Sequence, residues 1–146
     1  VNGSDTLRIV RTVRFCAAHR YHSDHLSDEE NRRVFGKCNR PHGHGHNYRL
    51  DVGVEGRIDS LTGMVINLAD LDALLKERVV EPLDHSFLNY DVEHFASVVP
   101  TCENLAAWVW NTLEGPVEEL GSCRLVLVRV WESDDLFAEL EKEVTA

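Results

Sequence analysis

From His46 onward, side chains alternate with a period of two. His46, Tyr48, Leu50, Val52 and Val54 fall in one phase, and Asn47, Arg49, Asp51 and Glu55 in the other. Only an extended strand sends successive side chains to opposite faces. A strand starting near Gly45 with one buried face is therefore required. Residues 6–18 repeat the pattern. Leu7, Ile9, Val13, Phe15 and Ala17 share a phase, and His19 continues it.

Between these runs, Ser27 and Glu30 form a capping-box pair, which predicts a short helix from Asp28 to about Phe35, ended by Gly36. The GRIDSLTG segment reads as a turn, with Met64–Ile66 as a third strand. Asn67 can cap a helix striped by Leu68, Leu71, Leu75 and Val79, which Pro82 should stop. Residues 83–100 read as irregular. Thr101 can cap a second long helix, with Leu105, Trp108, Thr112 and Leu113 on one side, that Gly115-Pro116 should break. Residues 124–132 are a strongly apolar strand, and Leu136–Leu140 a short final one. Strands before and after a helical middle predict an α+β domain with an antiparallel sheet. The 146 residues, with no repeat or linker, predict one domain over 1–146.

A formal charge of -10 argues against nucleic acid as a partner. No apolar run approaches the roughly 20 residues of a membrane span, and no signal-peptide pattern opens the sequence. Cys16, Cys38, Cys102 and Cys123 are widely spread and form no CxxC pair. They read as reduced thiols of a cytoplasmic protein, three of them small core residues. Cys38 differs, because it sits among Gly, Lys, Asn and Arg. Residues 31–49 hold Arg32, Arg33, Lys37, Arg40 and Arg49 and no carboxylate. This basic island in an acidic chain is suited to an anionic substrate.

The island contains FGKCNRPHGHGHNY, residues 35–48, with four metal-binding side chains: Cys38, His42, His44 and His46. All four together would close a structural zinc site, whereas three ligands would leave the open position of a catalytic one. His44 and His46, at i and i+2, project from one face of an extended chain. A third ligand must come from elsewhere. His19, in phase with a buried face, is the best candidate. His22 and His25 compete from a polar loop where solvation is expected, and His42 sits in a turn after proline. Asp84-His85 offers a carboxylate beside an imidazole, which can set its tautomer and basicity. A thiolate at Cys38 would be favoured by Lys37, Arg40 or a nearby imidazolium.

Taken with FCAAH, TGMVINLADL, PLDHSFLN, TCENLA and VWES, in that order from Val13 to Glu132, the motif resembles the 6-pyruvoyltetrahydropterin synthase family. The wider family includes 6-carboxytetrahydropterin synthase of the queuosine pathway. The resemblance implies a tunnelling (T) fold, a four-stranded antiparallel sheet with two helices on one face. Sheets join into a barrel within trimers, and two trimers stack as a homohexamer. It implies Zn2+ held by His19, His44 and His46, catalysis by Cys38 with Asp84 and His85 from a neighbouring subunit, and pterin binding at Glu132 near Thr101 and Glu103. The implied reaction is conversion of 7,8-dihydroneopterin triphosphate to 6-pyruvoyltetrahydropterin with loss of triphosphate, in tetrahydrobiopterin biosynthesis. The alternative product is 6-carboxytetrahydropterin, with release of acetaldehyde. A reading of another class is a non-catalytic module that is zinc-stabilised or binds pterin without turnover.

Overall fold

The computed structural model describes residue 2 and residues 5–143. Strands β1 (Leu7–His19) and β2 (His44–Gly56) pair antiparallel along their whole lengths, from Leu7 opposite Gly56 to His19 opposite His44. A two-residue strand, β3 (Ser86–Phe87), lies parallel to Ala17–Ala18. β4 (Cys123–Ser133) pairs with the free edge of β2, and β5 (Leu136–Glu141) lies outside β4. The order β3-β1-β2-β4-β5 makes five strands rather than four, four of them antiparallel neighbours.

The extra strand comes from the segment expected to be irregular, and the strand expected at Met64–Ile66 does not form. Those three residues lie between a turn closed by Asp59 and the cap at Asn67. Their ladder reduces to one bond, from the Asp59 N–H to the Met64 carbonyl.

Of the helices α1 (Asp28–Phe35), α2 (Leu68–Leu75), α3 (Glu81–Leu83), α4 (Leu88–Asp91) and α5 (Cys102–Glu119), α1, α2 and α5 start where capping side chains place them, and α3 and α4 have no side-chain cap. Ser27 and Glu30 complete the capping box of α1. Asn67 accepts from Ala69 N–H at α2, and Thr101 from Asn104 N–H at α5. Pro82 stands one residue before the end of the helical run that starts at Leu68, as expected, but Pro116 does not act as a stop. A π-helical turn over Lys76–Val80 joins α2 to α3 without a break, and Pro82 lies in the last turn of this run. The stripe Leu71, Leu75, Val79, Leu83 advances by four residues each time, more than the 3.6 of an α-helix, and the wider turn takes up the drift. Helix α5 runs through Gly115-Pro116 to Glu119. Gly115 has no Cβ to meet the proline ring, so the residue before proline can stay helical.

One core results. Phe15, Tyr48, Leu50, Val52, Val54, Val128 and Val130 of the sheet pack with the α2–α3 stripe and with Leu105, Val109, Leu113 and Val117 of α5. Trp108 is only partly buried and Thr112 half-buried. The opposite phase of β2 is not simply solvated. Asp51 and Glu55 are buried, Asp51 accepting from Thr12 and the Trp131 indole, Glu55 from Thr6 and Arg124.

Leu50 is fully buried and Val10 is 51% exposed. Leu50→Ala should lower stability to urea by about 2–5 kcal/mol, and Val10→Ala by at most about 0.5 kcal/mol. Equal losses would contradict the assignment of faces.

Candidate active site

The antiparallel register ends with three histidines. His19 stands opposite His44, and Ala17 opposite His46. One ring nitrogen from each of His19, His44 and His46 lies within 4.8 Å of the others. Nε2 of His19 and Nε2 of His44 are 3.1 Å apart. His19 is fully buried, and its Nδ1 is 2.9 Å from the Pro100 carbonyl oxygen. A carbonyl only accepts, so Nδ1 carries the proton and Nε2 offers a lone pair. Burial, followed by the neighbouring charges of His44 and His46, lowers the His19 pKa to about 4. Burial also lowers that of His46, against the pull of Glu132.

Neutral imidazoles are what a metal ion requires. Nε2 of His46 is buried without a hydrogen-bond partner, an arrangement that costs free energy unless something binds it. Two facing lone pairs also need a cation or a proton between them. Ligand nitrogens about 2.0–2.1 Å from a tetrahedral zinc stand about 3.3 Å apart, close to the spacing seen here. The trio fits a metal ion with one position open.

Gly43 makes the approach possible. Its φ is +66°, and a Cβ there would lie 2.6 Å from the His19 carbonyl oxygen and 2.7 Å from the Phe87 ring. Only glycine fits this left-handed turn into His44.

β4 contributes Glu132, in phase with Val128 and Val130, its side chain 13% exposed. One carboxylate oxygen lies 3.5 Å from His46 Nε2, and the other accepts from the Tyr21 hydroxyl at 3.4 Å. Glu132 thereby joins the histidines to a cavity of about 630 Å³ whose wall includes Tyr21, Cys38, Thr101 and Glu103. Cys38 lies in a 3₁₀ turn, Gly36–Asn39, and its carbonyl accepts from Tyr21 N–H. Thr101 caps α5 through its hydroxyl oxygen, which leaves its O–H free to donate into the cavity.

A second cluster stands apart from this cavity. Asp84 and His85 are 2.9 Å apart, and Asp84 accepts from the Cys16 N–H. That bond, and then the His85 imidazole, holds the Asp84 carboxyl below the usual carboxylate range. The Cys16 thiol is 3.7 Å from both ring nitrogens of His85. His85 has φ +58°, the left-handed region that a residue with a Cβ adopts only under constraint, while its N–H donates to the Cys16 carbonyl. Cys16 and His85 line a separate cavity together with His46.

The model of the family described as 6-pyruvoyl tetrahydropterin synthase matches residues 8–143. The chain belongs to the 6-pyruvoyl tetrahydropterin synthase family. It is 49% identical over 128 residues to the human 6-pyruvoyl tetrahydrobiopterin synthase, covering 88% of this chain and 86% of that one. The solved structure of the Caenorhabditis elegans 6-pyruvoyl tetrahydropterin synthase superposes with a TM-score of 0.87 at 35% identity, covering 98% of this chain and 100% of that one. The 6-carboxy-5,6,7,8-tetrahydropterin synthase of Haemophilus influenzae is more distant, at 26% identity over 127 residues, 73% of this chain and 86% of that one.

Within this 6-pyruvoyl tetrahydropterin synthase family member, the expected site residues fall into two groups. His19, His44, His46, Glu132, Cys38, Thr101 and Glu103 surround one cavity and the adjoining histidine trio. Asp84 and His85 meet Cys16 instead of Cys38. His42 is exposed, and the fourfold Cys38-His42-His44-His46 site does not form among the described residues. His25 is exposed as expected. His22 is half-buried instead of solvated, 3.1 Å from the Asn39 amide. Cys102 and Cys123 are buried core residues, but Cys16 is only half-buried and faces His85.

Sequence reasoning missed two contributors. Tyr21 bridges Glu132 and the His19 ring, and its burial together with the Glu132 charge raises its pKa. It continues the phase of His19 by two residues, a signal already in the sequence. Asn39 is buried and donates to the Tyr21 carbonyl, fixing the turn that carries Cys38.

In the metal-free protein, the unfolded chain takes up a proton at His19 near pH 6.5 and the folded chain only near 4. Between these values the unfolded state binds more protons, so stability falls with falling pH. At about 1.4 kcal/mol per unit, the loss from this group is roughly 3 kcal/mol. Urea unfolding at pH 7 and pH 4.5 should show it, and His19→Gln should remove most of the difference. An equal loss in the variant would contradict this assignment.

Proposed function

We propose that this chain converts 7,8-dihydroneopterin triphosphate to 6-pyruvoyltetrahydropterin with elimination of triphosphate. The observation that carries the reading is the junction of a three-imidazole cluster, through Glu132, with a cavity that holds Cys38 in its wall. The much higher identity to named pyruvoyl synthases than to the carboxy synthase favours this product over 6-carboxytetrahydropterin. The exclusion of Cys38 and His42 from the trio argues against a closed structural zinc site.

His19, His44 and His46 would hold zinc, whose Lewis acidity makes hydroxyls and adjoining C–H bonds of the substrate side chain easier to deprotonate. Glu132 offers two acceptor oxygens to the guanidine-like edge of the pterin ring, a bidentate match that fixes the ring. Glu103 and the Thr101 hydroxyl flank the same cavity. Cys38, as thiolate, is the base that removes a proton from the substrate side chain. Asp84 orients His85 through their 2.9 Å contact, and His85 accepts or returns that proton. Electrons move from side chain to ring, so no external reductant is needed.

Cys38 and His85 line different cavities of one chain. The reading therefore needs a second copy to bring His85 to Cys38, in accord with a homohexamer built from trimers. The sheet would close there into a barrel with neighbouring sheets.

Incubation with 7,8-dihydroneopterin triphosphate should yield 6-pyruvoyltetrahydropterin and triphosphate without acetaldehyde. Stoichiometric acetaldehyde would transfer the chain to the carboxy reaction, and unchanged substrate would contradict both. Cys38→Ala should lower kcat by about 10²–10⁴-fold with the fold retained by circular dichroism. Full activity would remove Cys38 from the base role.

A further inference from the structure

Cys16 has no part in the reaction proposed above, yet it stands beside two residues that do. One ligand atom from each of Cys16, Asp84 and His85 lies within 4.8 Å of the others. Among the described residues, this is the one such cluster besides the histidine trio, and the two share no member. Cys16 lies in the opposite phase of β1 from His19, so their side chains leave different faces of the sheet.

Backbone bonds bring the three groups together. The Cys16 N–H donates to Asp84 Oδ1 at 2.9 Å, and the His85 N–H donates to the Cys16 carbonyl at 2.6 Å. Asp84 Oδ2 is left for His85 Nδ1, 2.9 Å away. The left-handed backbone of His85 is a strained conformation, and it places the imidazole against both partners. Cys16 Sγ is 3.7 Å from Nδ1. Around a tetrahedral zinc ion, sulfur and nitrogen ligands stand about 3.5 Å apart, and nitrogen and oxygen ligands about 3.3 Å. Shifts of about a few tenths of an ångström therefore bring His85 into ligand spacing with both partners. The Asp84 carboxyl, held below the usual carboxylate range, is ionised and able to ligate. The His85 side chain is 80% exposed, and with Cys16 it lines a cavity of about 430 Å³, so an ion can enter from solvent.

We infer that Cys16, Asp84 and His85 form a second metal site, for a thiophilic divalent cation of the zinc class, and that its occupancy inhibits turnover. A thiolate with an imidazole selects such ions over magnesium and calcium, which take oxygen ligands. On binding, the thiol proton leaves to solvent and the Nδ1 proton passes to Nε2. An imidazole ligated at Nδ1 and protonated at Nε2 can no longer accept a proton from Cys38. The site stands on its geometry. The inhibition rests on the lyase reading above.

The test is titration of the full-length protein, already carrying one equivalent of zinc, with cobalt(II), followed by absorbance and calorimetry. A thiolate-to-cobalt charge-transfer band should appear, because the histidine trio offers no sulfur. Cys16→Ser, nearly isosteric, should abolish the band and weaken cobalt binding at this site at least tenfold. His85→Asn, which tolerates a left-handed backbone, should weaken it similarly. Cys38→Ala should keep the band. Excess zinc should inhibit the parent protein, and Cys16→Ser should need at least tenfold more for the same inhibition. No thiolate band, a band lost in Cys38→Ala instead, or unchanged binding in Cys16→Ser or His85→Asn would each overturn the site. Full turnover with the second ion bound would overturn the inhibition. If the parent bound cobalt through Cys16 but left 7,8-dihydroneopterin triphosphate unchanged in the absence of excess metal, the lyase reading would fall and the metal site would stand.

Discussion

The antiparallel register of β1 and β2 is the constraint on which the site depends. It runs without interruption from Leu7 opposite Gly56 to His19 opposite His44. A slip of one residue would turn every side chain of one strand to the other face. Were β2 to slip, Tyr48, Leu50 and Val52 would leave the core, and His44 and His46 would no longer share a face with His19. The apolar burial that stabilises the sheet therefore also fixes the distances between the imidazoles.

The same face changes character along its length. At the Leu50–Val130 level it is sealed by helices and wholly apolar. Two residues further along β4, it presents Glu132 to His46 and Tyr21. The candidate site is thus the polar end of the core, and its rigidity comes from packing beneath it. The loops add what the strands cannot supply. Gly43 provides the turn that no side chain tolerates, and buried Asn31 and Asn39 fasten the segments around Tyr21 and Cys38.

Alternation and capping were legible because they depend on local geometry. The two long strands, the three helix caps at Ser27, Asn67 and Thr101, and the trio His19, His44 and His46 all lay in periods or in side-chain chemistry. Punctuation was less legible. Pro82 marks the end of its helical run to within one residue, but Gly115-Pro116 read as a stop and the missing Cβ of Gly115 lets α5 continue. β3 is two residues long and exists only because β1 offers an edge. No local pattern predicts it, nor the meeting of Cys16 with Asp84 and His85 that follows from it. Alternation put Asp51 and Glu55 on the opposite face of β2 but not their burial, which depends on partners in β1 and β4 far along the chain.

We propose that three imidazoles, and no thiolate, form the metal centre, with Cys38 beside it as a free base. X-ray absorption at the zinc edge of the metal-loaded protein addresses this directly. A first shell of nitrogen and oxygen at about 2.0–2.1 Å, with multiple scattering from three imidazoles, is expected. A sulfur scatterer near ~2.3 Å that disappears in Cys38→Ala would contradict it.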